Sequence, residues 1–507
     1  MSLNVATLLH ESAVKNPDQT ALAIGNTTLS YAQVHGAVQR FAGGLRDLGI
    51  HPGQHVALLL PNVPQFTIAY FGTLAVGAVV VPLNVLLTAD EIAYHLNDSD
   101  AVALVAWEGF FDQSQAGFNR AESAHHLIVA KADPTDLSAP EESVSMTGLI
   151  TTAEPFLDHV PTMPDDPAVI LYTSGTTGHP KGAELTHFNM FFNARYSGTT
   201  LLPLGTDTVA LATLPLFHSF GQTVMHNAVL GQGGTVVLLP RFDPIDALTL
   251  MQNYKVNFFG GVPTMYFALL HTPEADDFDL NLTYCVSGGA AMPVEVMKAF
   301  DERYGVDILE GYGLSETSPV ASFNVLDRPK KAGSIGPPLW GVEFRLEDDE
   351  GNVITELGVP GEICIKGHNV MRGYYKRPEA TAEAIIDGWF HTGDIGTVDD
   401  DGYYYIVDRK KDMIIRGGFN VYPREIEEVL YAYPAVAEAA VIGVPHERHG
   451  EEVKAVIALK PGATATADDL IAYCKEHLAA YKYPRTIEFQ DALPKGPTGK
   501  ILKRELA

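Results

Sequence analysis

Short β-branched runs alternate with helical patterns along most of the chain, and this alternation narrows the possible folds most. HVALLLP (55–61), VVVPLN (79–84), AVALVA (101–106), HLIVA (126–130) and AVILYTS (168–174) read as strands. Between them, VPQFTIAYFGTLAVG and the Asp90–Asn97 stretch carry helical spacing. Each crossover between parallel strands packs on a sheet face, so the pattern predicts a layered α/β architecture with largely parallel sheets. Residues 131–167, rich in Pro, Asp, Glu and Ser, read as a surface excursion that returns to a strand at Ala168. From Val342 the spacing tightens. EFRLEDDEGNVI, GEICIKG and GYYYIVDRKKDMIIRGG alternate apolar and polar residues around Gly- and Asp-rich turns, which predicts antiparallel β. After Gly418 the mixed pattern returns: a helix at Pro423–Ala432, strands at AAVIGVP and VKAVIALK, and a helix at Ala467–Ala479. This last portion reads as a separate lobe.

Composition removes several classes of protein. Of 507 residues, 46% are apolar and 19% charged, which is globular and long enough to bury a core without staples. Cys285, Cys364 and Cys474 form no CxxC and no zinc spacing, so a reducing interior is expected. The net charge is −28, whereas residues 411–507 hold 13 basic and 14 acidic side chains. A nucleic-acid partner is not expected of so acidic a chain, but a polyanionic small ligand needs only a few placed lysines and N–H groups. The opening MSLNVATLLHESAVKNPD lacks a basic stretch before its apolar run, and prolines interrupt the apolar Val56–Leu87 stretch. No transmembrane segment and a cytoplasmic location are therefore expected, with peripheral membrane contact left open.

Chemistry concentrates in a few segments. In Tyr172-Thr-Ser-Gly-Thr-Thr-Gly-His-Pro-Lys-Gly182, a strand runs into a loop of hydroxyls and glycines that ends on a lysine. Glycine lets backbone N–H groups approach phosphate oxygens, while Thr173, Ser174, Thr176, Thr177 and Lys181 add donors around Gly175 and Gly178. No Gly-Lys-Ser/Thr closes the loop, so it is not a Walker A motif. Further on stand Gly311-Tyr-Gly-Leu-Ser-Glu-Thr317, Gly388-Trp-Phe-His-Thr-Gly-Asp394, Asp408-Arg-Lys-Lys-Asp412 with Arg416-Gly-Gly-Phe-Asn420, and Pro494-Lys-Gly-Pro-Thr-Gly-Lys500.

These five segments, in this order and spread over nearly the whole chain, resemble those of the adenylate-forming superfamily: acyl-CoA synthetases, firefly luciferases and peptide-synthetase adenylation domains. The resemblance implies an α/β fold, with a large N-terminal domain of layered αβαβα sheets plus a β-barrel-like subdomain (1–410). A small mobile α+β C-terminal domain (411–507) completes it. It implies ATP, Mg²⁺ and CoA as cofactors, and ATP binding by Thr173–Gly178, Lys181, Gly288, Gly289, Ala290, Glu310, Gly311, Tyr312, Gly313, Ser315, Asp394 and Arg409. Tyr312 would lie on the purine and Asp394 would accept the ribose hydroxyls; Thr173 and Glu316 would serve the metal. Ser315 stands where the family has Thr, and the hydroxyl survives. Lys500, on an expected flexible tail, would meet the α-phosphate, and with Glu316 and His218 forms the implied catalytic set. Lys411 matches the hinge, and Gly417, Gly418 and Phe419 match the CoA channel.

The acyl pocket is implied at His218, Phe220, Met225, Val262, Pro263, Thr264, Tyr266 and Leu314, apolar and deformable walls with His218 as the polar member. Gln232 stands near the arginine of malonate-activating relatives. The expected reaction is therefore ATP-dependent joining of a medium- or long-chain fatty acid to CoA through acyl-AMP. The alternatives are an aryl or cinnamic acid substrate, or loading of a carrier protein. The expected partners are a small carboxylic acid and CoA, with the chain a monomer or homodimer. A binding module without catalysis would have lost Lys500, Glu316 or Lys181.

Overall fold

The computed structural model describes residues 2–173, 179–446, 448–496 and 498–506. Two eight-stranded sheets make up its larger part. In the first, the order is Val320–Phe323, Ile308–Gly313, Tyr284–Ser287, Phe258–Gly261, Val209–Ala212, Thr235–Leu238, Thr20–Ile24 and Thr27–Ser30. All strands but the two at the edges run parallel. The second runs Gly373–Tyr374, Lys181–Thr186, Pro167–Thr173, Val79–Pro82, His55–Leu59, Ala101–Trp107, His126–Ala130 and Val144–Ser145.

Helix Tyr31–Asp47 packs on the first sheet, helix Pro64–Ala75 on the second, and the two pack on each other. Pro64–Ala75 is apolar on nearly every side because it lies inside this layered core, where Phe66, Tyr70 and Phe71 are wholly buried against Phe41 and its neighbours. The expected strands and helices are present to within a few residues, with one correction. The 131–167 excursion is not wholly irregular: Val144–Ser145 adds an edge strand beside His126–Ala130. Ser145 then caps helix Met146–Thr152, its hydroxyl accepting from the Gly148 N–H.

A third, antiparallel sheet contains Val342–Glu347, Gly361–Gly367, Trp389–Val398 and Tyr404–Arg409. A fourth joins Ile414–Arg416, Phe419–Val421, Val436–His446, Gly450–Leu459 and Thr486–Phe489, and buries its own apolar clusters against helices Pro423–Tyr431 and Ala467–His477. No helix among the described residues is long and apolar enough to cross a membrane.

One buried amide ties the two large sheets together. Asn62 follows the His55–Leu59 strand, and its Nδ2 donates to the carbonyls of Ala212 and Leu214 at 3.0 and 2.9 Å. Its Oδ1 accepts from Leu216 N–H at 2.9 Å, so the turn leading to His218 hangs on this side chain. Asn62→Ala strands the Leu214 carbonyl and the Leu216 N–H in a dry site and is expected to lower stability by about 3 kcal/mol, read as a lower urea midpoint at unchanged slope.

Candidate active site

Parallel strands present their carboxyl ends along one edge, where an open α/β sheet forms its crevice. Four adjacent strands of the first sheet deliver their following residues there. Val209–Ala212 leads to His218, Phe258–Gly261 to Val262, Pro263 and Thr264, and Tyr284–Ser287 to Gly288, Gly289 and Ala290. Ile308–Gly313 carries Glu310, Gly311, Tyr312 and Gly313 and runs on to Leu314, Ser315 and Glu316.

Asp394, on strand Trp389–Val398, has both carboxylate oxygens engaged. Tyr312 donates its hydroxyl to Oδ2 at 2.7 Å, and Arg409 Nε pairs with Oδ1 at 3.1 Å. Arg409 reaches it because Asp394 and Arg409 are register partners in the antiparallel pair. Glu316 is 7% exposed, and its Oε1 accepts from the Tyr374 hydroxyl at 3.0 Å. Burial raises the proton affinity of the Glu316 carboxyl, and hydrogen bonds from Tyr374 and Thr173 work against that rise. Thr173 and Lys181 face each other in the ladder of the second sheet, and the Lys181 ammonium lies 5.3 Å from the Tyr374 ring centroid.

Lys500 reaches the same place from the far end of the chain. The tail that carries it is a tight loop, which corrects the expectation of a loose arm. Gly496 N–H donates to Lys500 O at 2.8 Å, and Lys495 and Lys503 on either side pair with Glu438 and Glu427 at 2.5 and 2.7 Å. Leu493 and Leu506 are buried in a small apolar cluster beside Ala440 and Val456. Gly499 has φ +79°, and Thr264 Oγ1 donates to its carbonyl at 3.0 Å. The Lys500 ammonium then faces Arg409, Asp394 and Asp412, and burial together with Arg409 pulls its pKa down to about 8. Burial, reinforced by Lys500, pushes His218 down to about 4, so the imidazole is neutral at physiological pH.

The other expected residues differ in their surroundings. The Tyr266 ring is wholly buried between Phe259 and Phe300, with its hydroxyl donating to Val286 O at 2.7 Å, so it packs the core. The Glu310 carboxyl accepts from Met292 N–H at 3.2 Å behind the Tyr312 cluster, where burial raises it to about 7. Thr264 seats Gly499, Phe220 lies close to Gly288, and Met225 is buried against Gly260. Val262 is buried, Pro263 and Leu314 partly so, and Ser315 Oγ stands 3.5 Å from Ser219 Oγ. Lys411 is exposed in the turn after Tyr404–Arg409. Gly417 and Gly418 form an exposed hairpin turn, both at positive φ, and Phe419 stacks on Tyr481, away from the Asp394 cluster. Ser174, Gly175, Thr176, Thr177 and Gly178 lie outside the described residues. Tyr374 belongs to the site yet carries no local motif, since it arrives through strand pairing.

The AMP-binding enzyme family matches residues 9–375, and the AMP-binding enzyme C-terminal domain matches residues 425–500. The chain belongs to this family. It is 37% identical to a long-chain-fatty-acid–CoA ligase of Bacillus subtilis, over 99% of this chain and 93% of that protein. It is 40% identical to a feruloyl-CoA synthase of an Amycolatopsis species, over 97% and 96%. The crystal structure of the anthranilate CoA ligase AuaEII with anthranoyl-AMP superposes with a TM-score of 0.93 at 30% identity, covering 100% and 97%.

The Lys500 environment has a direct readout. Its side chain, followed by NMR, is expected to titrate near pH 8. Arg409→Gln removes a repelling charge and frees Asp394 to pair with the ammonium, so the midpoint should move upward, toward the ordinary lysine value.

Proposed function

We infer that this enzyme is an AMP-forming acyl-CoA synthetase that activates a medium- or long-chain fatty acid. The observation that carries the reading is the Lys500 ammonium, seated among Arg409, Asp394 and His218 at the carboxyl edge of the first sheet. In the first half-reaction a carboxylate oxygen attacks the α-phosphorus of ATP, a P–O bond forms, and pyrophosphate leaves. Tyr312, between two glycines, offers a flat ring to the purine, and Asp394 exchanges a present partner for the ribose hydroxyls. Lys181 and the Thr173–Gly178 loop take the outer phosphates. Lys500 meets the charge that builds on the α-phosphate and the attacking oxygen, the term that contributes most when donors are pre-placed. Neutral His218 borders the carboxylate without adding a charge.

The buried Glu316 carboxyl and the neighbouring Thr173 hydroxyl are hard oxygen donors, the set that suits Mg²⁺. When bound, the ion neutralises phosphate charge. Thr173 and Glu316 would hold and orient it, and Tyr374 fixes the carboxylate from behind.

In the second half-reaction the CoA sulfur attacks the acyl carbonyl, AMP leaves with the bonding electrons, and the thiol proton passes to solvent. We divide the chain at Lys411, with residues 1–410 as one body and 411–507 as the other. Rotation about Lys411 withdraws Lys500 and brings Gly417, Gly418 and Phe419 to a channel for the pantetheine arm. The anchored tail favours this reading, because Lys500 then moves with its whole lobe. Three buried free cysteines accord with a cytoplasmic location.

The likeness to a long-chain ligase supports the aliphatic substrate, and the apolar Phe220, Met225 and Val262 give a carboxylate's alkyl chain its walls. A second reading, an aryl or cinnamic acid, is favoured by the 40% identity to a feruloyl-CoA synthase. Pyrophosphate release across a panel of acids, with CoA or a carrier protein as acceptor, separates them. Fatty acids with CoA are the expected best pair, and turnover confined to short, dicarboxylic or aryl acids overturns the aliphatic assignment.

Two variants test the lysine. Lys500→Ala is expected to slow acyl-AMP formation by about 10²–10³-fold while thioester formation from supplied acyl-AMP stays within a few fold. Gly499→Ala places a Cβ 3.0 Å from Val262 and Thr264 at a positive φ. It should displace the ammonium and slow adenylation by roughly tenfold or more, with an unchanged circular dichroism spectrum.

A further inference from the structure

A second chemical cluster lies on one face of the antiparallel sheet. Cys364 is the register partner of His391 on one side and of Arg345 on the other, and Glu347 is paired with Glu362. Alternate residues share a face, so Arg345, Glu347, Glu362, Cys364 and His391 project together. Cys364 Sγ lies 3.5 Å from His391 Nδ1, Glu347 Oε2 lies 3.9 Å from Nε2, and Glu362 Oε1 lies 4.0 Å from Nδ1. One ligand atom each from Glu347, Cys364 and His391 falls within 4.8 Å of the other two, and no other such group occurs among the described residues.

The cluster is buried and incompletely satisfied. Cys364 is wholly inaccessible and Glu347 is 5% exposed. His391 Nε2 is shut off from water without a hydrogen-bond partner, and Glu347 Oε1 is held in an ion pair with Arg345. Arg345 stacks over the Trp389 ring at 4.2 Å, and Lys410 pairs with Glu362 Oε2 at 3.4 Å and with Asp349 at 3.0 Å. Arg345 also reaches the Cys364 sulfur, so a bound cation would take over that contact, while Glu347 Oε2 remains directed at the imidazole.

We propose that this face binds one zinc-class divalent cation through Cys364 Sγ, Glu347 Oε2 and one ring nitrogen of His391, with water or Glu362 in the fourth position. A thiolate, an imidazole and a carboxylate converging on one point suit Zn²⁺ or Co²⁺ in a tetrahedron and do not suit Mg²⁺. Binding forms a metal–sulfur bond and releases the thiol proton to solvent, so affinity rises with pH. Until a metal arrives, burial holds the Cys364 thiol up at about 12 and keeps it inert. The partly exposed edge of His391 provides the entry path. The site shares no ligand with Glu316 and Thr173. It does touch the strand of Asp394, since Glu362 Oε1 also accepts from Gly393 N–H at 3.0 Å.

Cobalt titration of the full-length, metal-stripped protein tests the proposal without an activity assay. About one equivalent of Co²⁺ should give a near-ultraviolet thiolate-to-cobalt band and the visible spectrum of tetrahedral cobalt, both displaced by Zn²⁺. Cys364→Ser should abolish the ultraviolet band, and Glu347→Gln should weaken binding by at least about tenfold. A Cys285→Ala/Cys474→Ala double variant, with Cys364 as the remaining thiol, should keep the band. The site is overturned by absence of the band in the wild-type protein, its loss from the double variant, or its survival in Cys364→Ser.

Discussion

Asp394 is the point on which the candidate site turns. Its two oxygens take Tyr312 from the first sheet and Arg409 from the neighbouring antiparallel strand, and its charge faces Lys500 from the end of the chain. Three distant stretches of sequence therefore converge on one carboxylate. That convergence sets two cations, Arg409 and Lys500, against Asp394 and Asp412, with Lys181 facing Tyr374 from the second sheet. Burial first, and then the nearby Arg409 charge, lower the basicity of Lys500, while Asp394 and Asp412 work against that fall. A chain with net charge −28 thus still gathers Arg409, Lys500 and Lys181 beside its candidate site.

The way Lys500 is held decides how it can leave. A single lysine on a frayed tail would sample many positions and lose side-chain and backbone freedom on each approach. Here the backbone around it is closed on itself, with buried leucines and ion pairs on both flanks, and the carbonyl of Gly499 is held by Thr264. In the proposed second half-reaction, withdrawal would therefore carry the surrounding lobe with it, and the sheet of that lobe holds the Gly417–Gly418 turn on an exposed hairpin. Rigid local geometry and large-scale rotation are compatible because the apolar clusters of that lobe are its own.

The layers were readable because periodicity reports burial. A run such as HLIVA is apolar at successive positions since both faces of that strand are covered, and it forms a strand over those same five residues. Motif residues were readable where spacing is local, as in Gly311-Tyr-Gly and Thr-Gly-Lys500. Pairing across strands was not. Tyr374 meets Glu316 because it joins the edge of the Lys181–Thr186 strand, 58 residues further along the chain than the carboxylate it supports. Tyr266 reads as a pocket wall because an aromatic residue beside a glycine-rich turn is ambiguous. Its hydroxyl finds carbonyl acceptors inside the core, and that resolves the ambiguity toward packing.

Cys364 and His391 show the same blindness in a sharper form. Metal spacing in a sequence is a property of turns and helices, where ligands lie a few residues apart. Ligands on neighbouring strands have no such signature, because their separation is set by the connection between strands. Strand Trp389–Val398 makes the consequence physical. His391 and Asp394 are three positions apart, an odd offset, so one projects toward the Cys364 face and the other toward the crevice. Two chemistries can then occupy one strand without sharing a ligand, and an ion on one face restrains the backbone that positions the carboxylate on the other.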